Sequence, residues 1–87
     1  MEFEIPVISY VSLIIYNFLG KKVRKLVGDR LEAGRHQIIW EGRDDYNHQP
    51  ASGVYFLKLS ANKKQSPGEF MQVQKMLLLR YHALIDF

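Results

Sequence analysis

Nine consecutive residues, Ser9 to Asn17 (S-Y-V-S-L-I-I-Y-N), limit what this chain can become more than any other feature. β-Branched and aromatic side chains dominate the run; they lose rotamer freedom in a helix and pack well on a pleated sheet. Val11, Leu13 and Ile15 fall on one face, and Tyr10, Ser12, Ile14 and Tyr16 on the other. That two-residue period belongs to a strand that buries one side. A strand cannot stand alone in water, so the rest of the chain must supply partners.

It does so by repeating the signature. After a turn at Asn17–Gly20, Lys21 to Val27 reads as a charged, edge-like strand with Val23 inward and Leu26 or Val27 closing it. Charges on an edge discourage strand addition by other chains. Gly28–Asp29 and Ala33–Gly34 bracket a predicted loop, and Arg35 to Glu41 is predicted as a strand with His36, Ile38 and Trp40 on one side. Gly42 to Gly53 is polar and turn-rich and is read as a loop. Val54 to Ala61 alternates Tyr55, Leu57 and Leu59 against Phe56, Lys58 and Ser60. Asn62 to Gly68 then reads as a hairpin connection, and Glu69 to Arg80 as a last strand long enough to hold a bulge. Short strands at this spacing, without a 3.6-residue period, predict an all-β antiparallel sandwich.

At 87 residues the chain is one domain, assigned to residues 1–80, with 81–87 as a C-terminal tail. Apolar residues make up 47% and charged residues 24%, a balance that excludes intrinsic disorder. The absence of cysteine excludes disulfides, thiolate nucleophiles and cysteine-bound metals. Val7 to Gly20 is apolar, yet Glu2 and Glu4 stand where a signal peptide needs positive charge. No signal peptide is therefore expected in this chain. The run is also shorter than the roughly 20 residues of a membrane helix, and no membrane insertion is expected.

Four blocks carry a resemblance. V-S-L-I-I-Y-N-F-L-G-K-K-V-R-K-L (Val11–Leu26), A-G-R-H-Q-I-I-W-E-G-R-D-D (Ala33–Asp45), A-S-G-V-Y-F-L-K-L (Ala51–Leu59) and K-M-L-L-L-R (Lys75–Arg80) follow one another in order. Together they resemble the C-terminal sorting domain of type IX-secreted bacterial proteins, a pattern shared with the Ig-like module related to the flagellar hook-capping protein. The resemblance covers about Phe3 to Arg80. It implies an Ig-like sandwich of about seven strands, here with a shortened first strand around Glu2–Pro6. It also implies a non-catalytic sorting and anchoring module of a larger exported bacterial protein, at the cell surface or outside the cell. Lys75, Met76, Leu77, Leu78, Leu79 and Arg80 would then be the strand that the secretion machinery recognises.

The alternative reading is a structural module that assembles with itself or binds a scaffold. Residues 81–87 continue beyond the point where sorting domains usually end, and Ile14 and Ile39 stand where the family more often has outward polar residues. Outward aliphatics build interaction patches. A shortened first strand would also leave an unpaired edge. The outward aliphatics and that edge predict self-association, as a homodimer through an exposed edge strand. Gly20, Gly34 and Gly42 mark turns, Trp40 is the largest candidate core residue, and Gly53 precedes a strand in which Tyr55 is placed to return its hydroxyl to loop backbone, as in a tyrosine corner.

Candidate chemistry is sparse. Asp44-Asp45-Tyr46-Asn47, with Glu41 near, is the one dense carboxylate site, but it lacks the glycine and downstream glutamate of a calcium loop. An Asx turn is the simpler reading. His36, His48 and His82 have no zinc spacing, and no serine sits in a nucleophile elbow. No phosphate cradle is present, and neither an enzyme nor a cofactor is expected. The net charge of +3 and the cluster Lys21, Lys22, Arg24, Lys25 raise nucleic acid, but Val23 and Leu26 interrupt the run as in the wet side of a strand. A carbohydrate-binding surface would need exposed aromatics from among Tyr10, Tyr16, Tyr46 and Phe56.

Overall fold

The computed structural model describes residues 1–62, 69–79 and 85–86. Among them lie β1 (Glu2–Ile5), β2 (Ser9–Asn17), β3 (Lys22–Leu31), β4 (Gly34–Gln37), β5 (Gly53–Asn62), β6 (Glu69–Leu78) and β7 (Ile85–Asp86). Every pairing is antiparallel. Five strands form one sheet in the order β3-β2-β5-β6-β7, and β1 pairs with β4 in a second. The fold is an all-β antiparallel sandwich.

One apolar cluster joins the layers. The small sheet contributes Phe3 and Ile5; the large one contributes Val11, Leu13 and Ile15 from β2, Tyr55, Leu57 and Leu59 from β5, and Met76 and Leu78 from β6. Trp40 closes it from the segment after β4. Alternation along β2 and β5 is the reason: their odd-numbered residues face inward, and their even-numbered ones line the outer face.

Three sequence expectations differ from the structure. The third strand does not stop at Val27 but runs through Gly28 and Asp29 to Leu31. Gly28 stays in the ladder opposite Ser12, and the Lys25 side chain lies across it where a Cβ would collide. A glycine inside a strand often marks such a close approach rather than a break. The fourth strand is shorter than Arg35–Glu41, because β1 offers only four residues to pair with. Its alternation continues beyond the ladder, with Ile38 half-buried, Ile39 exposed and Trp40 buried. Met1 and Ile38 close that small sheet by exchanging hydrogen bonds of 2.6 and 2.8 Å.

The last strand, long enough for a bulge or bend, carries no bulge between Glu69 and Leu78; the irregular register lies elsewhere. β6 pairs with β5 without interruption from Glu69 to Leu78, whereas the β2–β3 register shifts at Leu13/Ile14 and again at Ile15/Tyr16. Leu26 and Val23 are the extra residues on β3. Each shift brings an additional side chain toward the core, so Val23, Leu26 and Val27 all pack against it. The connection at 63–68, which includes Lys63 and Lys64, lies outside the described residues, as do Arg80, His82 and most of the predicted tail. Ile85 and Asp86 of that tail pair with Leu77 and Met76 on the outer edge of β6. No helix among the described residues is long and apolar enough to cross a membrane.

Candidate functional site

The segment between β4 and β5 holds most of the polar groups singled out in the sequence. Two buried aromatics pin its ends. Trp40 donates from Nε1 to the Arg43 carbonyl at 2.8 Å, and Tyr55 donates from Oη to the Ala51 carbonyl at 2.6 Å. Burial raises the Tyr55 pKa above its ordinary 10.0 by disfavouring the phenolate. Gly42 turns the chain out of the Trp40 segment at φ 76°, in the left-handed region that a side chain rarely adopts. Gly20 does the same in the β2–β3 turn at φ 81°. There Asn17 Oδ1 accepts from the Leu19 and Lys21 N–H groups. Gly34 opens β4 and Gly53 opens β5.

Asp44 builds an Asx turn. Its Oδ1 accepts from the N–H groups of Tyr46 and His48 at 2.9 and 2.8 Å, and its carbonyl accepts from the Asn47 N–H. His48 Nδ1 lies 3.9 Å from Asp44 Oδ2, a contact that becomes an ion pair only when the exposed ring is protonated. Asp45 points to β3 instead. It donates its N–H to the Val23 carbonyl, accepts the Lys25 N–H on Oδ1, and lies 3.7 Å from Lys22 Nζ. Arg24 donates to the Asp44 carbonyl at 3.1 Å. The carboxylates thus satisfy backbone donors, and the loop covers part of the β3 edge. No group of three or more potential metal ligands gathers among the described residues.

The other candidates are dispersed. His36 stacks on Phe3 with ring centroids 5.6 Å apart, and its Nε2 lies 2.8 Å from the Glu32 carbonyl. Ile14 and Ile39 do not meet. Ile14 lines a shallow depression of about 260 Å³ on the outer face of the large sheet, with Tyr10, Ser12, Tyr16, Lys58, Ser60 and Asn62. Ile39, 72% exposed, lines another of about 250 Å³ beside Arg24, Leu26 and Trp40. Tyr10, Tyr16 and Phe56 share the outer sheet face, Tyr16 directly opposite Phe56, whereas Tyr46 projects from the loop near His48. Of the candidate recognition strand, Met76 and Leu78 face the core, and Lys75, Leu77 and Leu79 are partly or fully exposed. Arg80 lies outside the described residues.

Sequence reasoning missed two features. The coupling of Asp45 to Lys25 spans twenty residues, and no local pattern reports it. Met71 and Val73, half or more exposed on β6, were legible in the alternation of Glu69 to Lys75 but were not singled out.

Among curated proteins, none matches the chain. The family model of the FlgD Ig-like domain matches residues 5–65, from the end of β1 into the connection after β5. That span holds β2 to β5 entire, together with the Trp40–Tyr55 loop. With well over half of its length so matched, the chain belongs to the FlgD Ig-like domain family.

Proposed function

We propose that this chain is a non-catalytic assembly module, an Ig-like domain that associates with copies of itself within a larger exported bacterial protein. The observation that carries the reading is the FlgD Ig-like match over 5–65, which supports a module related to the hook-capping protein. The side chains support it. The carboxylates of Asp44 and Asp45, the Tyr55 hydroxyl and the Trp40 indole nitrogen all hydrogen-bond to backbone and so serve to hold the loop.

A sorting and anchoring role is the second reading, favoured by the continuous β6 strand that carries Lys75 to Leu78. Two measurements separate them. Sedimentation velocity of the 10.2 kDa chain over a wide concentration range should show a reversible rise in mass under the assembly reading. A reporter carrying a periplasmic leader and this chain, expressed in a host with type IX secretion, should stay inside the envelope. A strictly monomeric chain that carries the reporter to the surface would replace assembly with sorting.

A further inference from the structure

The outer face of the large sheet carries polar side chains that the fold leaves unused. On β2 and β5 the register sets Ser12 opposite Ser60, Ile14 opposite Lys58 and Tyr16 opposite Phe56. β3 adds Arg30 opposite Tyr10 and Lys25 opposite Ile14. Gly28 stands opposite Ser12 without a side chain, and the Lys25 side chain lies along the sheet over it. The Lys25 ammonium therefore stands where a Cβ of residue 28 would be, on the side of Ser12. Directly opposed Cβ positions lie about 4.5–5.5 Å apart, so one row across three strands presents an ammonium and two hydroxyls. Lys58, two residues from Ser60 on the same face of β5, brings a second ammonium to that row.

The charge on this face has one sign. β2 and β5 contain no Asp or Glu, and the one acid of β3, Asp29, is in register with inward-facing Val11. Among the described residues, no hydrogen bond or ion pair engages the side chains of Ser12, Ser60, Lys25, Arg30 or Lys58. The loop after Trp40 is the opposite case, since its carboxylates are committed to backbone. Unpaired cations beside free hydroxyls complement an acidic ligand.

Shape makes that ligand a chain. Tyr10, 51% exposed, and Tyr16 stand on the same face of β2, about 20 Å apart at the rise of a strand. The shallow depression of about 260 Å³ between them is open along its length. Single-stranded nucleic acid stacks successive bases on exposed rings. Here Tyr16 and Phe56 are half-buried, and hydroxyls and ammoniums fill the space between the tyrosines. Those groups match the hydroxyls and carboxylates of a sugar acid.

We propose that this face binds an acidic polysaccharide. One carboxylate sits on Ser12 and Ser60 between the Lys25 and Lys58 ammoniums, and sugar rings lie against Tyr10 and Tyr16. The inference does not rest on the assembly reading.

The probe is an oligogalacturonate, titrated calorimetrically into the full chain at low salt without divalent cations. Neutral dextran and oligothymidylate of similar length are titrated beside it. The oligogalacturonate should bind more tightly than either, and more weakly as salt screens the exposed charges. Lys25→Gln and Lys58→Gln should each weaken it at least about fivefold, because each removes a hydrogen bond to a charged group. The double variant Ser12→Ala, Ser60→Ala should weaken it as well. Lys21→Gln, the same charge change in the exposed β2–β3 turn, should leave it unaltered. Circular dichroism and melting should match the parent in each variant. An oligogalacturonate that does not bind overturns the proposal. So does an equal loss in Lys21→Gln, which would leave only the net charge of +3 at work. Tighter binding of oligothymidylate would make the face a nucleic-acid surface instead. Sedimentation decides the assembly reading separately, so either can fail alone.

Discussion

The Tyr55 ring meets the Trp40 indole edge-on, with centroids 5.6 Å apart and planes at 60°. Each aromatic donates its polar hydrogen to the segment between them, Trp40 to the Arg43 carbonyl and Tyr55 to the Ala51 carbonyl. The pair therefore buries apolar surface in the sandwich while tying down both ends of the loop that carries Asp44 and Asp45. An edge-to-face contact of this kind adds about 0.5–1.5 kcal/mol to the burial itself.

Tyr55→Phe keeps the ring and removes the hydroxyl, leaving the Ala51 carbonyl without that donor. The expected loss is about 1 kcal/mol, read from urea unfolding. The same variant tests a pH dependence. Burial raises the folded-state pKa of Tyr55 above 10.0, so the folded chain holds this proton more tightly than the unfolded one. The contribution is complete below pH 10 and is lost as pH rises through the folded-state value. Melting temperature should thus fall with alkaline pH less steeply in Tyr55→Phe than in the parent. Equal slopes would show that this phenol does not govern the alkaline limb.

Asp45 and Lys22 should separate in their effects. The Lys22–Asp45 ion pair is exposed on both sides, and Lys22→Ala should cost no more than about 0.5 kcal/mol. Asp45→Ala also removes the acceptor for the Lys25 N–H, with an expected cost of about 1 kcal/mol. Asp45→Asn retains an acceptor oxygen and should recover most of it. Equal losses for Lys22→Ala and Asp45→Ala in urea unfolding would assign the stabilisation to charge instead of to the backbone bond.

Adjacent residues on β2 should respond unequally to truncation. Leu13 is fully buried, and Leu13→Ala should cost about 3 kcal/mol through lost transfer energy and the cavity left behind. Ile14, half-exposed on the other face, should cost about 1 kcal/mol or less as Ile14→Ala. Comparable values would mean that a second surface covers the outer sheet face in solution.

Calcium should leave the melting temperature unchanged. Asp44 Oδ1 already accepts two backbone N–H groups, Oδ2 lies beside the His48 ring, and Asp45 is turned toward β3. A calcium titration that raises the melting temperature would show that the loop reorganises to bind.

Much of the sandwich was legible because burial follows a two-residue period. Val11, Leu13 and Ile15 on β2, and Tyr55, Leu57 and Leu59 on β5, could be assigned to the core from spacing alone. Strand ends were less legible. Gly28 reads as a breaker in any local window, and only its position under Lys25 and opposite Ser12 explains why the strand runs on. The Asp44–Asp45 loop was readable as a turn, since Asp44 acts on residues two and four positions away. Its second role was not, because Asp45 acts on a strand twenty residues earlier.

By itself, the sequence determined that this chain forms strands, which face of each strand is apolar, and that a long polar loop separates Trp40 from Tyr55. Those properties depend on neighbours within a few positions. Which edges are covered and which are open was decided by the tertiary structure. An edge is defined by what lies beside a strand in space, and here the loop from Asp44 to His48 folds against β3 while, among the described residues, β7 pairs with β6 at Met76 and Leu77.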